Sequence, residues 1–441
     1  MSQLNTVLPS KHVLQAADLS QNEVSISGDA SRTGVGPLEY LRLGDVLERV
    51  SKPVSPVPNG TYREIGIRPH GKGIFHKEPI NGSALGDKRV FRVEPGCLVL
   101  NIVFAWEQAV ALTSQAEQGM IASHRFPMYR AKGGVDLRFL LHFFKTREGR
   151  NLLAIASPGG AGRNKTLNQE DFEDTHFTAP PLPEQCRIAN AFDVWDRAIA
   201  ATEALIAAKR SIKSHLLRTI FGPAINPNTE MPWAWTPLDV SELARVVGGG
   251  TPDTGESSYW GGPIPWCTPT DLAARTSRFI GKTERTITQK GLASSSAEVL
   301  PANIVILCSR ASVGECAINT IPMATNQGFQ SLVPKNKDDT HFLIYLVQSI
   351  KPRLLRISAG STFQEFSRSE LRSLTVAAPD EKRRKQIGKA FALIDGEIEY
   401  LMNSLSVYRT QKRGLMQKLL TGEWRLNGDE VQANKLARAA S

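Results

Sequence analysis

The polar and charged side chains of this sequence are more typical of a binding protein than of an enzyme. No GxxxxGKS or GxxxxGKT run is present, so ATP-driven translocation by this chain has no support. The run GAGRNK contains a G-x-G, but no convincing helix opening follows it, which makes it a weak candidate for a nucleotide loop. The histidines form no i, i+4 pair, so metal chemistry has no support either. A nuclease centre needs only a few dispersed carboxylates and stays open at this point.

Loops in both halves of the chain carry the side chains that read nucleic acids. Arg, Lys, Asn, Gln, Ser and Thr bond to base edges, and Arg and Lys also hold phosphates. In the first half the candidates lie in SHRFPMYRAK and in the Gly-rich run PGGAGRNKTL, and they are His124, Arg125, Arg130, Lys132, Arg163, Asn164 and Lys165. In the second half they are Arg310, Thr325, Asn326, Gln327, Ser361, Thr362 and Gln364.

Each candidate also has a simpler interpretation. Any of them could be a solvated loop residue, and Asn326 and Gln327 could be buried amides with satisfied hydrogen bonds. Tyr259, Trp260 and Trp266 could stack on a flipped base. In a stretch rich in Pro and Gly, aromatic residues more often pin a loop to the core, and we predict that role for them.

The composition is that of a globular protein with a polyanionic partner. The 441 residues are 41% hydrophobic and 22% charged, with a formal net charge of +10. A basic balance fits nucleic acid, although it is also common in proteins that merely stay soluble. The five cysteines form no CxxC pair, and we expect reduced, buried thiols. No signal peptide or membrane-spanning run is evident, so we expect a cytoplasmic protein.

The elements that must position these loops are two long helices, each with an apolar seam. A heptad pattern sustained over about five repeats is typical of a coiled coil. The seam of the second helix comprises Ile387, Phe391, Ile394, Ile398, Leu401, Leu405, Leu415 and Leu419. The seam of the first comprises Ile188, Phe192, Trp195, Ile199, Ile206, Leu216 and Ile220.

The two seams keep one register without a gap, 199 positions apart, which indicates a tandem duplication. Identical residues recur at the same offset, including Asp196 with Asp395 and Lys213 with Lys412. The globular parts repeat in outline, for example GGAGRNKTL with SAGSTFQEF. The alternative is two unrelated amphipathic helices.

Local patterns predict mixed α and β structure in each globular part. LRLGDVLERVSK after Tyr40 could form a short helix, and FLLHFFK from Phe139 is predicted as a buried helix. KRVFRV and CLVLNIVF are strand-like. The predicted boundaries are a tail or arm at 1–36, a first domain at 37–182, a first helix at 183–222, a second domain at 223–380, a second helix at 381–426 and a tail at 427–441.

With both copies laid out, the organisation resembles the specificity subunit of Type I restriction-modification systems. The runs that carry the resemblance are GGGTPDTGESSYWGGPIPW from Gly248, GSTFQEFSRSEL from Gly360 and QKRGLMQKLLTGEWRL from Gln411. The resemblance covers essentially residues 38–426. The first half departs from it, because it has no GGTP-type opening and no YWGG run.

The resemblance implies an α+β fold with two mixed target-recognition domains, related by pseudo-twofold symmetry and separated by two long antiparallel coiled-coil helices. It also implies a non-catalytic protein that reads a bipartite asymmetric double-stranded DNA target and recruits two methyltransferase subunits and restriction or translocase subunits. No cofactor is expected on this chain; S-adenosylmethionine, ATP and Mg are expected on the partners. The alternative is a coiled-coil scaffold that joins proteins and binds no DNA.

The helices suggest two further expectations. A helix of about 35 residues is roughly 50 Å long, so the helices could act as a ruler between two half-sites. Four residues inserted after Phe221 should then widen the gap between them. Met416 lies in an apolar surface wider than one partner helix would cover, which predicts contact with a methyltransferase subunit.

Overall fold

The chain forms two compact units in a computed structural model that describes residues 36–159, 165–225, 235–275, 277–359 and 364–426. Unit 1 comprises the chain up to Ala201 and again from Ser406, and unit 2 comprises Thr202–Leu405. Each unit therefore combines one globular part with a portion of both long helices.

Unit 1 is built from short strands and short helices, followed by the first long helix. Its strands are β1 (Glu39–Arg42), β2 (Leu47–Val50), β3 (Pro53–Val54), β4 (Thr61–Tyr62), β5 (Ile65–Ile67), β6 (Ile74–His76), β7 (Ile80–Asn81), β8 (Val90–Arg92), β9 (Leu98–Leu100), β10 (Val110–Leu112), β11 (Ile121–Ser123), β12 (Met128–Ala131) and β13 (His176–Ala179). Its helices are α1 (Leu43–Val46), α2 (Leu137–Phe144), α3 (Arg147–Ile155), α4 (Gln169–Glu173) and the start of α5 (Leu182–Ile220).

Unit 2 has the same kinds of element. Its strands are β14 (Thr236–Asp239), β15 (Ala244–Gly248), β16 (Trp260–Cys267), β17 (Phe279–Ile280), β18 (Arg285–Ile287), β19 (Val305–Leu307), β20 (Cys316–Asn319), β21 (Ala324–Thr325), β22 (Gln330–Pro334) and β23 (Thr375–Ala378). Its helices are α6 (Gly222–Ile225), α7 (Val240–Leu243), α8 (Pro269–Ala274), α9 (Gln289–Ala293), α10 (Thr340–Ser358), α11 (Arg368–Arg372) and the first part of α12 (Glu381–Leu420).

The main sheets of the two units have one topology. The strand order is β10-β9-β12-β2 in unit 1 and β15-β22-β19-β20-β17 in unit 2, so four strands correspond and β17 is added at an edge. A buried helix covers each sheet: α2 in unit 1 and α10 in unit 2. The prediction of an α+β fold with two repeated mixed domains is confirmed, whereas the pseudo-twofold relation stays a prediction.

The long helices contain 39 and 40 residues, and within each unit they run antiparallel. In unit 2, Lys209 bonds to Glu397 and Lys213 bonds to Asp395, so positions rise on α5 as they fall on α12. None of the predicted seam residues is exposed, and Ile188, Phe192 and Phe391 are fully buried. The heptad spacing thus corresponds to the buried side of both helices.

The residues that the two helix copies share form reciprocal ion pairs. In unit 1 Lys412 of α12 binds Asp196 of α5, and in unit 2 Lys213 of α5 binds Asp395 of α12, at 2.7 Å. The polar tip of a side chain from the covering helix approaches each carboxylate: His142 lies 4.0 Å from Asp196. The Tyr345 hydroxyl donates to Asp395 at 2.7 Å. An antiparallel pair of duplicated helices must place such shared residues opposite each other twice.

Of two short helices predicted from local sequence, one is confirmed and the other is wrong. FLLHFFK forms the buried helix α2 as predicted, with Asp136 capping its first turn by accepting from the Arg138 and Phe139 amides. LRLGDVLERVSK does not form one helix, because only Leu43–Val46 is helical and the flanking segments pair as strands. Leu43, Val46 and Leu47 are buried, so tertiary pairing overrides the helical spacing.

The apolar surface around Met416 is covered by unit 1 itself. Leu419 and Leu420 belong to the core of unit 1, and Leu415 and Met416 pack against that core. Met416 therefore has a packing role within unit 1 while staying partly accessible, and its contact with a methyltransferase subunit stays a prediction. The surface exceeds the width of one partner helix because a globular domain packs on it.

The proposed insertion site after Phe221 is also not free. Phe221 is fully buried and lies 5.4 Å from Phe342 and 5.9 Å from Phe391, measured between ring centroids. Ala224, in the next helix, is fully buried too, and its carbonyl accepts a hydrogen bond from Arg353. Added residues there would disrupt the core of unit 2 instead of lengthening the helix alone.

Candidate nucleic-acid interface

Three chain segments of unit 1 meet at the end of β9. The Ile102 amide donates to the Arg125 carbonyl at 3.0 Å, and the Ile102 carbonyl accepts from the Leu167 amide at 2.8 Å. Ile102 thus ties the turn after β11 and the end of the Gly-rich run to one point. Both bonds join main-chain atoms, so they hold the loops without using the polar side chains.

Unit 2 contains the same arrangement after β19. The Ser309 amide donates to the Gly328 carbonyl at 2.8 Å, and the Ser309 carbonyl accepts from the Phe366 amide at 3.3 Å. We call each such pair of bonds the loop bracket: Arg125–Ile102–Leu167 in unit 1 and Gly328–Ser309–Phe366 in unit 2. The duplication therefore preserves the frame that collects the loops.

The loop bracket of unit 1 brings His124, Arg125 and Lys165 together. His124 and Arg125 are exposed, and the Lys165 ammonium lies 5.7 Å from the centroid of the Trp106 ring. Trp106 follows Ile102 in the same segment and donates its indole N–H to the Val103 carbonyl. Arg163 and Asn164 fall outside the described residues.

Arg130 and Lys132 lie at the other end of β12, away from the loop bracket. Arg130 is opposite Glu48 of β2, and the Lys132 ammonium donates to the Gly44 carbonyl at 2.8 Å. The five-residue step from Arg125 to Arg130 spans roughly 16 Å of extended chain. The run SHRFPMYRAK is therefore divided between two surfaces.

In unit 2 the loop bracket brings Arg310, Asn326, Gln327 and Gln364 together. Arg310 pairs through its main chain with Glu365, and Gly328 packs against the Arg310 side chain. Gln327 and Gln364 are exposed. Ser361 and Thr362 fall outside the described residues.

Two members of the TNQ run have structural roles. Thr325 is buried, and its carbonyl accepts from the Gly250 amide at 2.9 Å. Asn326 is half-buried and its side-chain oxygen accepts from the Gly328 amide at 2.9 Å, which shapes the turn. Gln327 reaches the Thr251 hydroxyl. Gln327 is thus the exposed member of the run, whereas Thr325 is buried.

The GGGTP opening packs directly on the TNQ run. A Cβ at Gly249 would lie 1.8 Å from the Asn326 carbonyl oxygen, and one at Gly250 would lie 2.3 Å from the Ala297 amide nitrogen. Only glycine permits this approach of one backbone to another. Trp266 is buried and donates its indole N–H to the Gly250 carbonyl at 2.9 Å, so it pins this loop to the core.

The buried thiols and the buried histidine near these elements stay uncharged. Burial raises the pKa of Cys267, and it raises the pKa values of Cys308 and Cys316 to about 12. Burial lowers the pKa of His142 to about 3, with Lys145 and Lys412 adding to that effect.

Among the described residues, no group of three or more His, Cys, Asp and Glu side chains could hold a metal ion. None of the described helices is long and apolar enough to span a bilayer.

A known protein family matches the parts of the chain that contain both loop brackets. The family described as Type I restriction modification DNA specificity domain matches residues 100–208 and 232–403, which is more than half of the chain. The chain belongs to this family. The two matched stretches include the loop bracket of each unit and run on into both long helices.

Curated specificity subunits are similar in sequence over part of their length. The chain is 36% identical to the Type I restriction enzyme MjaIX specificity subunit of Methanocaldococcus jannaschii over 172 residues, which is 38% of this chain and 40% of that protein. It is 24% identical to the EcoR124I/EcoR124II specificity subunit of Escherichia coli over 186 residues, or 41% of this chain and 44% of that protein. The chain thus matches less than half the length of these two relatives.

Solved structures share the fold of the specificity family. The S subunit of a Type I restriction-modification system from M. genitalium aligns with a TM-score of 0.56 at 13% identity, covering 89% of this chain and 98% of that one. A chain from work on complex assembly and conformational transition of the type I R-M system aligns at 0.52 and 18%, covering 88% and 99%. The family match confirms the predicted family and a role in sequence-specific DNA recognition, and the solved structures show that the fold is shared.

Proposed function

We propose that each unit of this specificity-family chain reads one half of a bipartite, asymmetric DNA target. The loop bracket is the observation that carries the proposal. It holds three chain segments at one point in both units and leaves polar side chains exposed beside it. Main-chain bonds fix the frame, so the side chains on it are free to differ.

The side chains on the two frames do differ, and this supports an asymmetric target. Unit 1 presents His124, Arg125 and Lys165, which suit phosphates and guanine edges. Unit 2 presents Gln327 and Gln364 beside Arg310, and an amide can bond in bidentate fashion to adenine. The two half-sites should therefore have different sequences.

Methylation and cleavage belong, in this proposal, to two methyltransferase subunits and to restriction or translocase subunits. Those partners would carry S-adenosylmethionine, ATP and Mg, and the chain described here would bind DNA in the cytoplasm without a catalytic centre. The alternative of a scaffold that binds no DNA has no observation in its favour.

The first test removes cations beside the loop bracket of unit 1. Arg125→Ala combined with Lys165→Ala should weaken binding to duplex DNA and lower the slope of log K against log salt by up to about 0.9 per lost phosphate contact. The measurement is a salt titration of affinity. Arg130→Ala with Lys132→Ala is the matched control, because it removes the same formal charge from the other end of β12.

An equal loss of slope in the two double variants would mean that net charge alone drives binding. Unchanged affinity and slope in the Arg125 and Lys165 variant would remove the loop bracket of unit 1 from the interface. Wild-type protein that shows no salt-dependent binding would contradict the function itself.

The helix pair of unit 2 offers a face for a methyltransferase subunit. On the covered side of α12, Asp395 is buried against α10, and a Cβ at Gly388 would lie 2.7 Å from the Phe342 amide nitrogen. Large apolar residues are exposed on the side away from α10: Leu205 and Ile212 on α5, and Leu393 and Tyr400 on α12, with 72% of Leu393 accessible. The two residues of each pair are seven positions apart, so they lie on the same side of their helix. A helix of the partner subunit that packs along this face would contact both.

The second test places charge on this face. Leu393→Asp with Tyr400→Asp should abolish assembly with the methyltransferase subunit at unit 2 and leave the melting temperature within a few degrees of wild type. Light scattering would give the stoichiometry and a thermal melt the stability. Leu355→Asp, at an exposed leucine on α10, is the control and should leave assembly intact. Full assembly of the double variant would show that the partner binds elsewhere.

A further inference from the structure

We propose that Arg285 is a preformed contact for a phosphate of the DNA backbone, held by two tryptophans beside the recognition loops of unit 2. The Arg285 guanidinium carbon lies 3.5 Å from the centroid of the Trp260 ring and 5.3 Å from that of Trp266. The inference rests on the DNA-reading function proposed above. It adds a contact in a segment outside the loop bracket.

A β-bulge brings the two tryptophans together. They are six residues apart, which spans roughly 20 Å of regular strand, yet their ring centroids are 5.0 Å apart. Trp260 and Ile264 both pair with Ile287 of β18, so the segment between them loops out of the ladder. Gly261 makes this possible with a φ of +77°.

Gly262 has a second role in the same bulge. A Cβ there would lie 2.5 Å from the Ile287 carbonyl oxygen, so this backbone must approach β18 closely. The YWGG run therefore folds back over β18, and the result is an aromatic seat for the side chain of Arg285. Each indole N–H is already bonded, Trp260 to the Asp253 carbonyl and Trp266 to the Gly250 carbonyl, which fixes both rings.

The seat leaves the donors of Arg285 without an acceptor. Arg285 is exposed, and within the part of the chain that the structure describes its guanidinium forms no hydrogen bond or ion pair. Two carboxylates of the loop before Trp260 accept from main-chain amides: Asp253 accepts from Gly255, and Glu256 accepts from Ser258. A planar guanidinium stacked on indole has lost much of its rotamer freedom, so less side-chain entropy is lost when an anion binds.

Arg285 is also connected to the recognition loops. The Trp266 indole bonds to the Gly250 carbonyl, and the Gly250 amide bonds to the Thr325 carbonyl, one residue before Asn326. Two hydrogen bonds thus link the aromatic seat to the turn that carries Gln327. A backbone phosphate fits this position best, because the guanidinium fork matches phosphate oxygens and the loops beside it supply side chains suited to bases.

The test compares full-length variants on a duplex of random sequence, since a phosphate contact does not depend on the target. Arg285→Ala should raise Kd roughly tenfold at low salt, as for one charge-assisted hydrogen bond lost, and reduce the salt slope by about 0.9. Lys282→Ala is the matched control, because Lys282 is an exposed cation in the connection between β17 and β18, close in sequence to Arg285, and it should change Kd less than threefold.

Trp260 is tested as the positioning residue. Trp260→Phe keeps an aromatic face and should bind within about threefold of wild type. Trp260→Ala leaves the charge of Arg285 but frees its side chain, so it should weaken binding with a smaller loss of slope than Arg285→Ala. Thermal melts of all variants separate lost binding from lost folding.

Three results would overturn the assignment. In one, wild type binds with a clear salt slope and Arg285→Ala binds the same way. In another, Lys282→Ala and Arg285→Ala lose the same slope. In the third, Trp260→Ala matches wild type. A failure of wild type to bind DNA at all would instead refute the proposed function, so the two failures are distinguishable.

Discussion

Adding one heptad to each long helix should widen the gap between the two half-sites by about three base pairs and leave both half-site sequences unchanged. Seven residues lengthen an α-helix by about 10.5 Å, and B-DNA rises about 3.4 Å per base pair. The additions are second copies of residues 195–201 and 399–405, placed after Ala201 and Leu405. Sequencing the methylated sites of cells that carry the variant would measure the gap.

These insertion points follow from the structure. Unit 1 ends at Ala201 and resumes at Ser406, so both additions fall where the long helices pass from one unit to the other. A full heptad preserves the register of the seam, whereas other lengths introduce a stutter. Ala201 is exposed, and neither point disturbs a globular core as an insertion after Phe221 would.

Four-residue insertions at the same two points are the control. They shift the register of the seam downstream and should abolish methylation instead of moving the gap. A heptad variant with an unchanged gap would refute the ruler. Altered half-site sequences would refute the idea that each unit reads its own half.

Replacing Asp395 by Ala should cost unit 2 about 3 to 5 kcal/mol, because it leaves buried charge without a partner. The Asp395 carboxylate accepts from Lys213 and from the Tyr345 hydroxyl, each at 2.7 Å, and lies 3.7 Å from Arg278. The Lys213 and Arg278 side chains are 18% and 13% exposed. Burial raises the pKa of Tyr345, with Asp395 adding to it, so its hydroxyl stays a protonated donor. Urea unfolding and hydrogen exchange in α10 would measure the loss.

Asp196→Ala is the matched control, since Asp196 occupies the equivalent position of the other helix. Its side chain is 50% exposed, and its second neighbour, His142, is 4.0 Å away. Lys412 is itself only 13% exposed, but the carboxylate that is removed is half exposed and lacks the hydroxyl bond that Asp395 has, so the expected cost is lower than for Asp395→Ala. Equal losses in the two variants would contradict the difference in burial on which the prediction depends.

The sequence by itself determined the features that depend on local spacing. Seam residues such as Ile188 and Phe391 recur every three or four positions, and a helix must then bury them on one side. The offset of 199 positions indicated the duplication, and the runs GGGTP and YWGG carried the resemblance to the specificity family. Each of these patterns lies within one element or appears when the two copies are compared, so it can be recognised without the tertiary structure.

One further feature was within reach of the sequence. Asp196 with Asp395 and Lys213 with Lys412 are identities between the copies, and an antiparallel pairing of the two helices would have predicted their reciprocal ion pairs. Antiparallel helices were expected, and the missing step was to align these shared residues across the pair.

Only the tertiary structure decided which loop residues lie together. The bracket at Ile102 joins it through main-chain bonds to Arg125 and Leu167, which lie 23 and 65 positions further along the chain, and no side-chain pattern encodes these bonds. The same reason explains why Arg125 and Arg130, close in sequence, lie on different surfaces. It also explains why Arg285 was missed, since its seat depends on a bulge that brings Trp260 back to Trp266. Contacts between distant segments depend on how whole elements pack, and that information is spread over the chain.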